Sequence, residues 1–490
     1  MSIVKEIAAN YGVPDLVLQR LHFENPWWLG MPGKEIQNLP ERLYLEPFMT
    51  LLQVKDVHRL ILLMGPRRVG KTVLMHHAIA RLIRSGVSPR KIAYVSIENP
   101  LLTNISPDRL FACIRDAVGD ADTTGWYIFF DEVQYLPEWE IHLKVLTDSY
   151  RKVRFVASGS AAAALKMKSL ESGAGRFTDF MLPPLMFHEY LALKSKDFLL
   201  KPSKLELEAT RGPVFDSTDL RTLNREFVEY INYGGYPEVI FSDSARHDAD
   251  RYIRGDIIDK VLLSDLPALY GIENTRELNR LFATLVYNSG GELSYESLSN
   301  SSGLNKKTLV NYLTYFEAAF LIKIVHRVDD TARRYKRADL FKVYLTNPSL
   351  RTALFAPLEP TDDDMGNIVE TALFSQWLHR EWKTPHYARW TKGRFQGEVD
   401  MVGLGRAQLK PRWAVEIKWS NHYAAHPGKL VSLLNFCATN KLQSALVTTI
   451  DVFRAIQHGD VQLHFIPASL YAYSVGKNTL EQPPSYFRER

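Results

Sequence analysis

Cysteine is scarce in this 490-residue chain: there are two, Cys113 and Cys437, far apart and with no cysteine or histidine at metal-ligand spacing beside them. That excludes a disulfide scaffold and a zinc knuckle, and leads us to expect buried thiols in a reducing compartment. Long apolar runs are lacking as well. The longest, such as Leu60–Met64 and Trp126–Phe130, have the length of buried strands, far short of the ~20 residues that span a bilayer. The start, MSIVKEIAANYGV, has acidic and polar residues where a signal peptide needs an apolar block. The expectation is a cytoplasmic protein with no membrane partner. Internal repeats and low-complexity tracts are missing too. Neither sign of charge dominates: 60 Lys and Arg stand against 55 Asp and Glu, a net +5. That excess is too mild by itself to argue for nucleic acid.

The remaining composition is ordinary for a folded chain, with 46% hydrophobic and 23% charged residues. At roughly 150 residues per domain the length suggests about three folded units. Residues 1–55 read as a helical, aromatic-rich extension packed on the neighbouring α/β unit. From His58 to about 191, apolar strands alternate with helices, the grammar of a parallel α/β sheet buried on both faces. A Lys/Pro/Ser stretch at 194–204 reads as a linker or exposed loop, within a mainly helical lid at 192–275. Residues 276–347 have the layout of a winged helix: a helix, a helix–turn–helix, then two strands around a polar hairpin. Residues 348–490 return to α/β.

The most specific signal is Gly65-Pro66-Arg67-Arg68-Val69-Gly70-Lys71-Thr72, which fits G-x-x-x-x-G-K-[ST] without a mismatch, after a strand and at the start of a helix. Glycines let the backbone curl so that its N–H groups ring the phosphates of ATP, and the helix N-terminus adds partial positive charge. Lys71 is expected to reach the β- and γ-phosphates and Thr72 to ligate Mg²⁺. At the end of the strand Trp126–Phe130, Asp131 is expected in the Mg²⁺ shell and Glu132 as the residue that polarises the attacking water. The next strand ends at Ser158-Gly159-Ser160, placed to sense the γ-phosphate.

These motifs, with Gly175-Arg176-Phe177, a Pro-Leu-x-Phe-x-Glu-Tyr segment at 184–190 and Gly234-Gly235-Tyr236-Pro237-Glu238, resemble bacterial and archaeal AAA-type ATPases with a C-terminal domain of unknown function. The resemblance covers most of the chain from about residue 55. It implies that Arg176 stands where such proteins carry an arginine finger, which would require a homo-oligomer. A surface arginine capping local carbonyls is the alternative.

In the C-terminal unit, Glu370 on a helix, Glu398-Val399-Asp400 at a strand and Glu416-Ile417-Lys418 on the next form a second constellation. Alternation puts Glu416 and Lys418 on one face. Glu370, Asp400 and Glu416 form a hard-oxygen set suited to Mg²⁺, and Lys418 is placed to steady a scissile phosphate or an activated water. The pattern resembles the PD-(D/E)xK, restriction-endonuclease-like fold, with Val399 where the motif's name has proline. The alternative is that Glu416 and Lys418 are only a charge pair on a binding domain.

Residues 276–347 hold 11 Lys and Arg against 7 Asp and Glu, nearly the whole net charge of the protein. Lys306 and Lys307 open the third helix, whose start would face a DNA groove. Arg333, Arg334, Lys336 and Arg337 fall on the expected wing, where phosphate contact is expected. Two functions fit these features. One is an Mg²⁺-dependent ATPase that binds DNA and cleaves or processes it through the C-terminal site. The other is an ATP-switched regulator or scaffold with an inactive nuclease-like domain.

Overall fold

The computed structural model describes residues 15–31, 33, 35–54, 57–160, 175–333, 339–378, 385–405 and 410–481. The chain divides into two compact units, Met1–Leu182 and Pro183–Arg490.

The first unit is built on five strands: β1 Leu60–Met64, β2 Ile92–Ser96, β3 Tyr127–Asp131, β4 Arg154–Gly159 and β5 Phe177–Met181. They lie in the order β2-β3-β4-β1-β5, and every pairing is parallel. β1 reads LILLM and is buried at all five positions, as a strand covered by helices on both faces must be. The helix Lys71–Arg84 follows β1 directly, and Pro107–Val118 and Trp139–Ser149 supply two more crossovers. Pro107–Val118 and β5 were not singled out in the sequence. Cys113 is buried and free, as is Cys437 in the second unit.

The N-terminal extension closes the sheet's β2 edge with side chains in place of a sixth strand. Asn25 Nδ2 donates to the Tyr94 carbonyl at 2.9 Å, and Tyr94 N–H donates back to Asn25 Oδ1 at 2.6 Å. Ser96 N–H donates to Glu24 Oε2 at 3.0 Å, and both Trp27 and Trp28 indoles donate to the Ile92 carbonyl. The edge groups that would otherwise template another strand are thereby satisfied.

The second unit contains a nine-stranded sheet in the order β15-β16-β14-β13-β12-β11-β9-β10-β8. Its members are β8 Glu292–Ser294, β9 Ile322–Val328, β10 Leu340–Leu345, β11 His386–Lys392, β12 Phe395–Leu404, β13 Pro411–Glu416, β14 Ser444–Thr449, β15 Arg454–His458 and β16 Val461–Pro467. Residues 276–347 and 348–490 thus contribute to one sheet, joined where β9 runs parallel to β11. The order helix Thr275–Tyr287, β8, helix Tyr295–Ser302, helix Lys306–Ala318, β9, β10 follows the expected succession, with β8 an added short strand. Ser294 and Ser297 form a capping box at the second helix, Gly303 ends it at φ 73°, and Asn305 caps the third.

The stretch at 194–204 is not a loop. It leads into β6 Leu200–Leu207, which pairs antiparallel with β7 Gly212–Ser217. Alternating exposure of Lys201, Lys204 and Glu206 gave this strand its loop-like composition. The rest of 192–275 is helical as expected, and helix Leu220–Tyr233 ends at Gly234 before Pro237 opens the next. Gly235 is required there: a Cβ would sit 2.4 Å from Asn347 Oδ1.

Apolar clusters cover both faces of the large sheet. One includes Phe227, Tyr230, Phe374, Trp377 and Tyr471, the last on the buried terminal helix Ala468–Glu481. The other packs Val399, Val402 and Ala414 against Leu433 and Phe436 of helix Val431–Asn440. Strands β11, β15 and β16 and the terminal helix were not read from the sequence. Among the described residues, no helix is long and apolar enough to cross a membrane.

Candidate functional site

β1 delivers Gly65 at its C-terminal end, the side on which parallel sheets bind ligands. Gly65 has no room for a side chain: a Cβ would lie 2.1 Å from the Leu182 carbonyl oxygen. Arg68 and Gly70 take left-handed backbone, at φ 63° and 92°, which curls the loop into the helix at Lys71. Lys71 is buried, and its Nζ donates to the Gly65 and Pro66 carbonyls at 3.2 and 3.1 Å. The ammonium therefore closes the loop on itself. Arg67 Nη2 lies 3.2 Å from the Tyr135 hydroxyl, and Val69 is fully buried. From the N-terminal extension, buried Arg42 donates to the Val69 carbonyl at 2.8 Å.

Thr72 Oγ1 donates to Asp131 Oδ2 at 2.7 Å, and the Tyr94 hydroxyl donates to the same oxygen at 2.7 Å. Burial and then the Asp131 charge push the Tyr94 phenol far above its ordinary range, so it stays a donor. In a regular strand, Asp131 and Glu132 would point to opposite faces. Glu132 instead adopts φ 57° and turns back, 4.0 Å from Lys71 Nζ. Such a conformation costs about 1–2 kcal/mol and is held by its surroundings: Gln134 donates to the Glu132 carboxylate, and Glu132 N–H donates to Ser158 Oγ at 2.9 Å. Ser158 Oγ in turn donates to Asp131 Oδ1. Ser158 is thus a brace between the two acidic residues, and the Ser160 hydroxyl at this strand end is buried, with no hydrogen-bond partner among the described residues. The hydroxyl and carboxylate oxygens of Thr72 and Asp131 are a donor set that fits Mg²⁺.

Arg176 is not in this pocket. Leu60 pairs with Phe177 and Met64 with Met181, so Arg176 lies at the opposite end of the strands, roughly 20 Å along them from the level of Gly65. Its side chain is half-exposed and meets Asp148 Oδ1 at 3.2 Å.

Residues 57–191 match the family model of an AAA domain. The first unit carries an AAA domain. Residues 224–362 match a domain of unknown function. The chain is 25% identical over 284 residues to an uncharacterized protein of Methanocaldococcus jannaschii, covering 57% of this chain and 59% of that protein. An uncharacterized protein of Haemophilus influenzae is 24% identical over 306 residues, covering 61% of this chain and 70% of its own length. The chain thus spans about three fifths of the archaeal relative. Among solved structures, the Aeropyrum pernix ORC1 protein in complex with DNA aligns with 64% of this chain and 92% of its own, at 14% identity and a TM-score of 0.28. So low a score bears on neither partner nor assembly.

Outside the AAA domain, the second unit brings the acidic residues of the C-terminal constellation together. Lys418 Nζ lies 2.8 Å from Glu416 Oε1 and 3.2 Å from Asp400 Oδ2, and Ile417 N–H donates to Asp400 Oδ2 at 2.7 Å. Glu370 accepts from the Tyr344 hydroxyl at 2.5 Å and from Lys342 Nζ at 3.1 Å, while Lys342 also meets Glu398 Oε1 at 2.8 Å. Burial first, then Asp400, raises Glu370 above the usual carboxylate range against the pull of Lys342. Burial and Asp400 likewise push Glu416 up to about 8 despite Lys418. Burial alone would lower both lysines, yet the surrounding carboxylates outweigh it and hold them charged.

Glu416 Oε2 is buried and has no hydrogen-bond partner among the described residues. Buried, crowded carboxylates, raised first by burial and then by their neighbours' charge, are chemistry that fits a divalent cation. Even so, among the described residues no group of three or more His, Cys, Asp and Glu side chains is already set around one ion position; the ammonium groups take up the carboxylate oxygens. Lys342 and Tyr344 were missed as site residues. Their signal was two polar residues at period two inside the otherwise apolar LFKVYL.

Lys342 and Arg327 were counted among the cations of 276–347, but Lys342 is buried and Arg327 is partly buried, 3.7 Å from Glu292. Lys306 and Lys307 are exposed at the start of their helix. Arg333 is described; Arg334, Lys336 and Arg337 lie outside the described residues.

Proposed function

We propose that the chain is an Mg²⁺-dependent ATPase that binds DNA and processes it at the acidic site of its second unit. The observation that carries the ATPase reading is the convergence of Lys71, Thr72, Asp131 and Glu132 at one end of the AAA sheet. Lys71 and the loop N–H groups bind the triphosphate, and Thr72 and Asp131 hold Mg²⁺, which when bound offsets phosphate charge. Glu132, steadied by Gln134 and Ser158, orients water and accepts its proton. Arg176, at the far end of the strands of its own sheet, reaches a nucleotide only on another copy, so a finger role goes with a homo-oligomer.

For DNA, exposed Lys306 and Lys307 at a capped helix start, inside a winged-helix-like succession, are the contact points. At the acidic site, Glu370, Asp400 and Glu416 would hold Mg²⁺, and Lys418 steadies the scissile phosphate. A second reading, a regulator whose nuclease-like site only binds, is favoured by the two lysines that occupy those carboxylates.

Incubating the protein with linear, circular and single-stranded DNA in Mg²⁺ separates the two. Cleavage that Asp400→Ala or Lys418→Ala stops while ATP turnover survives supports processing. Intact DNA in every case, with and without ATP, leaves the regulator.

A further inference from the structure

Lys342 sits at the middle of β10, 3% exposed, and its ammonium bridges Glu370 and Glu398 while lying 5.3 Å from the centre of the Tyr387 ring. Lys418 does the same for Asp400 and Glu416. The cluster therefore holds four carboxylates and two ammonium groups, and Glu416 Oε2 has no hydrogen-bond partner among the described residues. A long lysine stem loses rotamer freedom and hydration when it is drawn into such a place. It stays because the carboxylates require a cation. A divalent ion would supply twice the charge and draw on the same oxygens.

We propose that Lys342 is the resident counter-cation of the acidic site, which a divalent metal must displace from Glu370 and Glu398. Lys342 lies opposite Glu292 of β8 and Val325 of β9, so its displacement links metal loading to the strands that flank helix Lys306–Ala318 in the chain. This inference rests on reading the acidic cluster as a divalent-metal site.

The test is Mg²⁺ titration by calorimetry on the nucleotide-free, full-length protein, taking as site binding the heat that Asp400→Asn abolishes. Two like charges a few ångströms apart repel strongly at protein dielectric, so Lys342→Met is expected to bind Mg²⁺ at least about tenfold more tightly than wild type, with Lys342→Arg staying close to wild type. Equal or weaker binding in Lys342→Met overturns the proposal and makes Lys342 a scaffold for the carboxylates. If Lys342→Met does not fold, acetic anhydride labelling of the wild type decides. Lys342 should be protected without metal and become labelled with Mg²⁺, a gain absent in Asp400→Asn; unchanged labelling overturns the proposal. If Asp400→Asn removes no Mg²⁺ heat from wild type or from Lys342→Met, the metal-site reading itself fails, and the proposal with it.

Discussion

Thr72 Oγ1 and Asp131 Oδ2 are 59 positions apart in sequence and 2.7 Å apart in space. The bond ties the helix after β1 to the end of β3 across the intervening β4, and Tyr94 from β2 closes on the same carboxylate oxygen. A helix start and a neighbouring strand thus fix one acidic group, at the end of β3, beside the phosphate loop.

Ser158→Ala removes the hydroxyl that links Asp131 to the Glu132 main chain. A buried hydrogen bond to a charged group contributes about 1.5–3 kcal/mol, so turnover should fall by roughly 10- to 100-fold. ATP affinity should hold, because the hydroxyl is engaged by protein groups. Steady-state rates beside calorimetric affinities check this; a parallel loss of affinity would show that Ser158 meets the nucleotide directly.

Arg42→Ala should weaken the AAA domain from outside the motif. Its guanidinium donates to the Val69 carbonyl inside the phosphate loop and packs 5.4 Å from the Tyr44 ring centre. The expected cost is about 1–3 kcal/mol of stability, with weaker Mg²⁺–ATP binding, and Arg42→Lys should rescue only part of it because the planar fork is lost. Thermal unfolding with and without nucleotide reads both. Unchanged midpoints would mean the extension does not support the loop.

Glu416 gives the second unit a pH dependence with a definite sign. Its folded value is raised to about 8, against an ordinary value of 4.5. The favourable contribution of the protonated group is fully present below about 4.5 and is lost as pH rises through about 8. Metal-free protein should therefore lose stability between pH 6 and 9, by an amount of order a few kcal/mol. Glu416→Gln should flatten that loss, and Mg²⁺ should protect wild type more at pH 9 than at pH 6. Urea midpoints at the two pH values test this; a wild-type slope equal to that of Glu416→Gln would remove Glu416 as its cause.

The phosphate loop and its acidic strand were legible because each is over-determined locally. β1 is apolar at every position since both faces are covered, Gly65 must lack a Cβ beneath Leu182, and the curl at Gly70 needs left-handed backbone. The turn at Glu132 was not legible: adjacent carboxylates in sequence say nothing of the left-handed step that brings both to one side.

Other features depend on distant partners. Asn25 and Glu24 pair with an edge strand through side chains, which leaves no periodic trace. β6 carries lysine, proline and glutamate on its exposed positions and so resembled a linker. Lys342 counted as one more surface cation until the pairing of β10 turned it toward Glu370. Alternation by itself put Glu416 and Lys418 on one face, whereas Glu370 and Asp400 were picked out through the resemblance to the PD-(D/E)xK fold.

The central claim is that Lys71 and the surrounding main-chain amides bind a triphosphate in the AAA domain. Calorimetry of ATP with Mg²⁺ on the full-length protein, wild type beside Lys71→Ala, tests it most directly. The account predicts saturable binding by wild type and a loss of at least about tenfold in affinity on removing the charge-assisted contact. Equal binding by the two proteins, or no uptake by folded wild type, would contradict it.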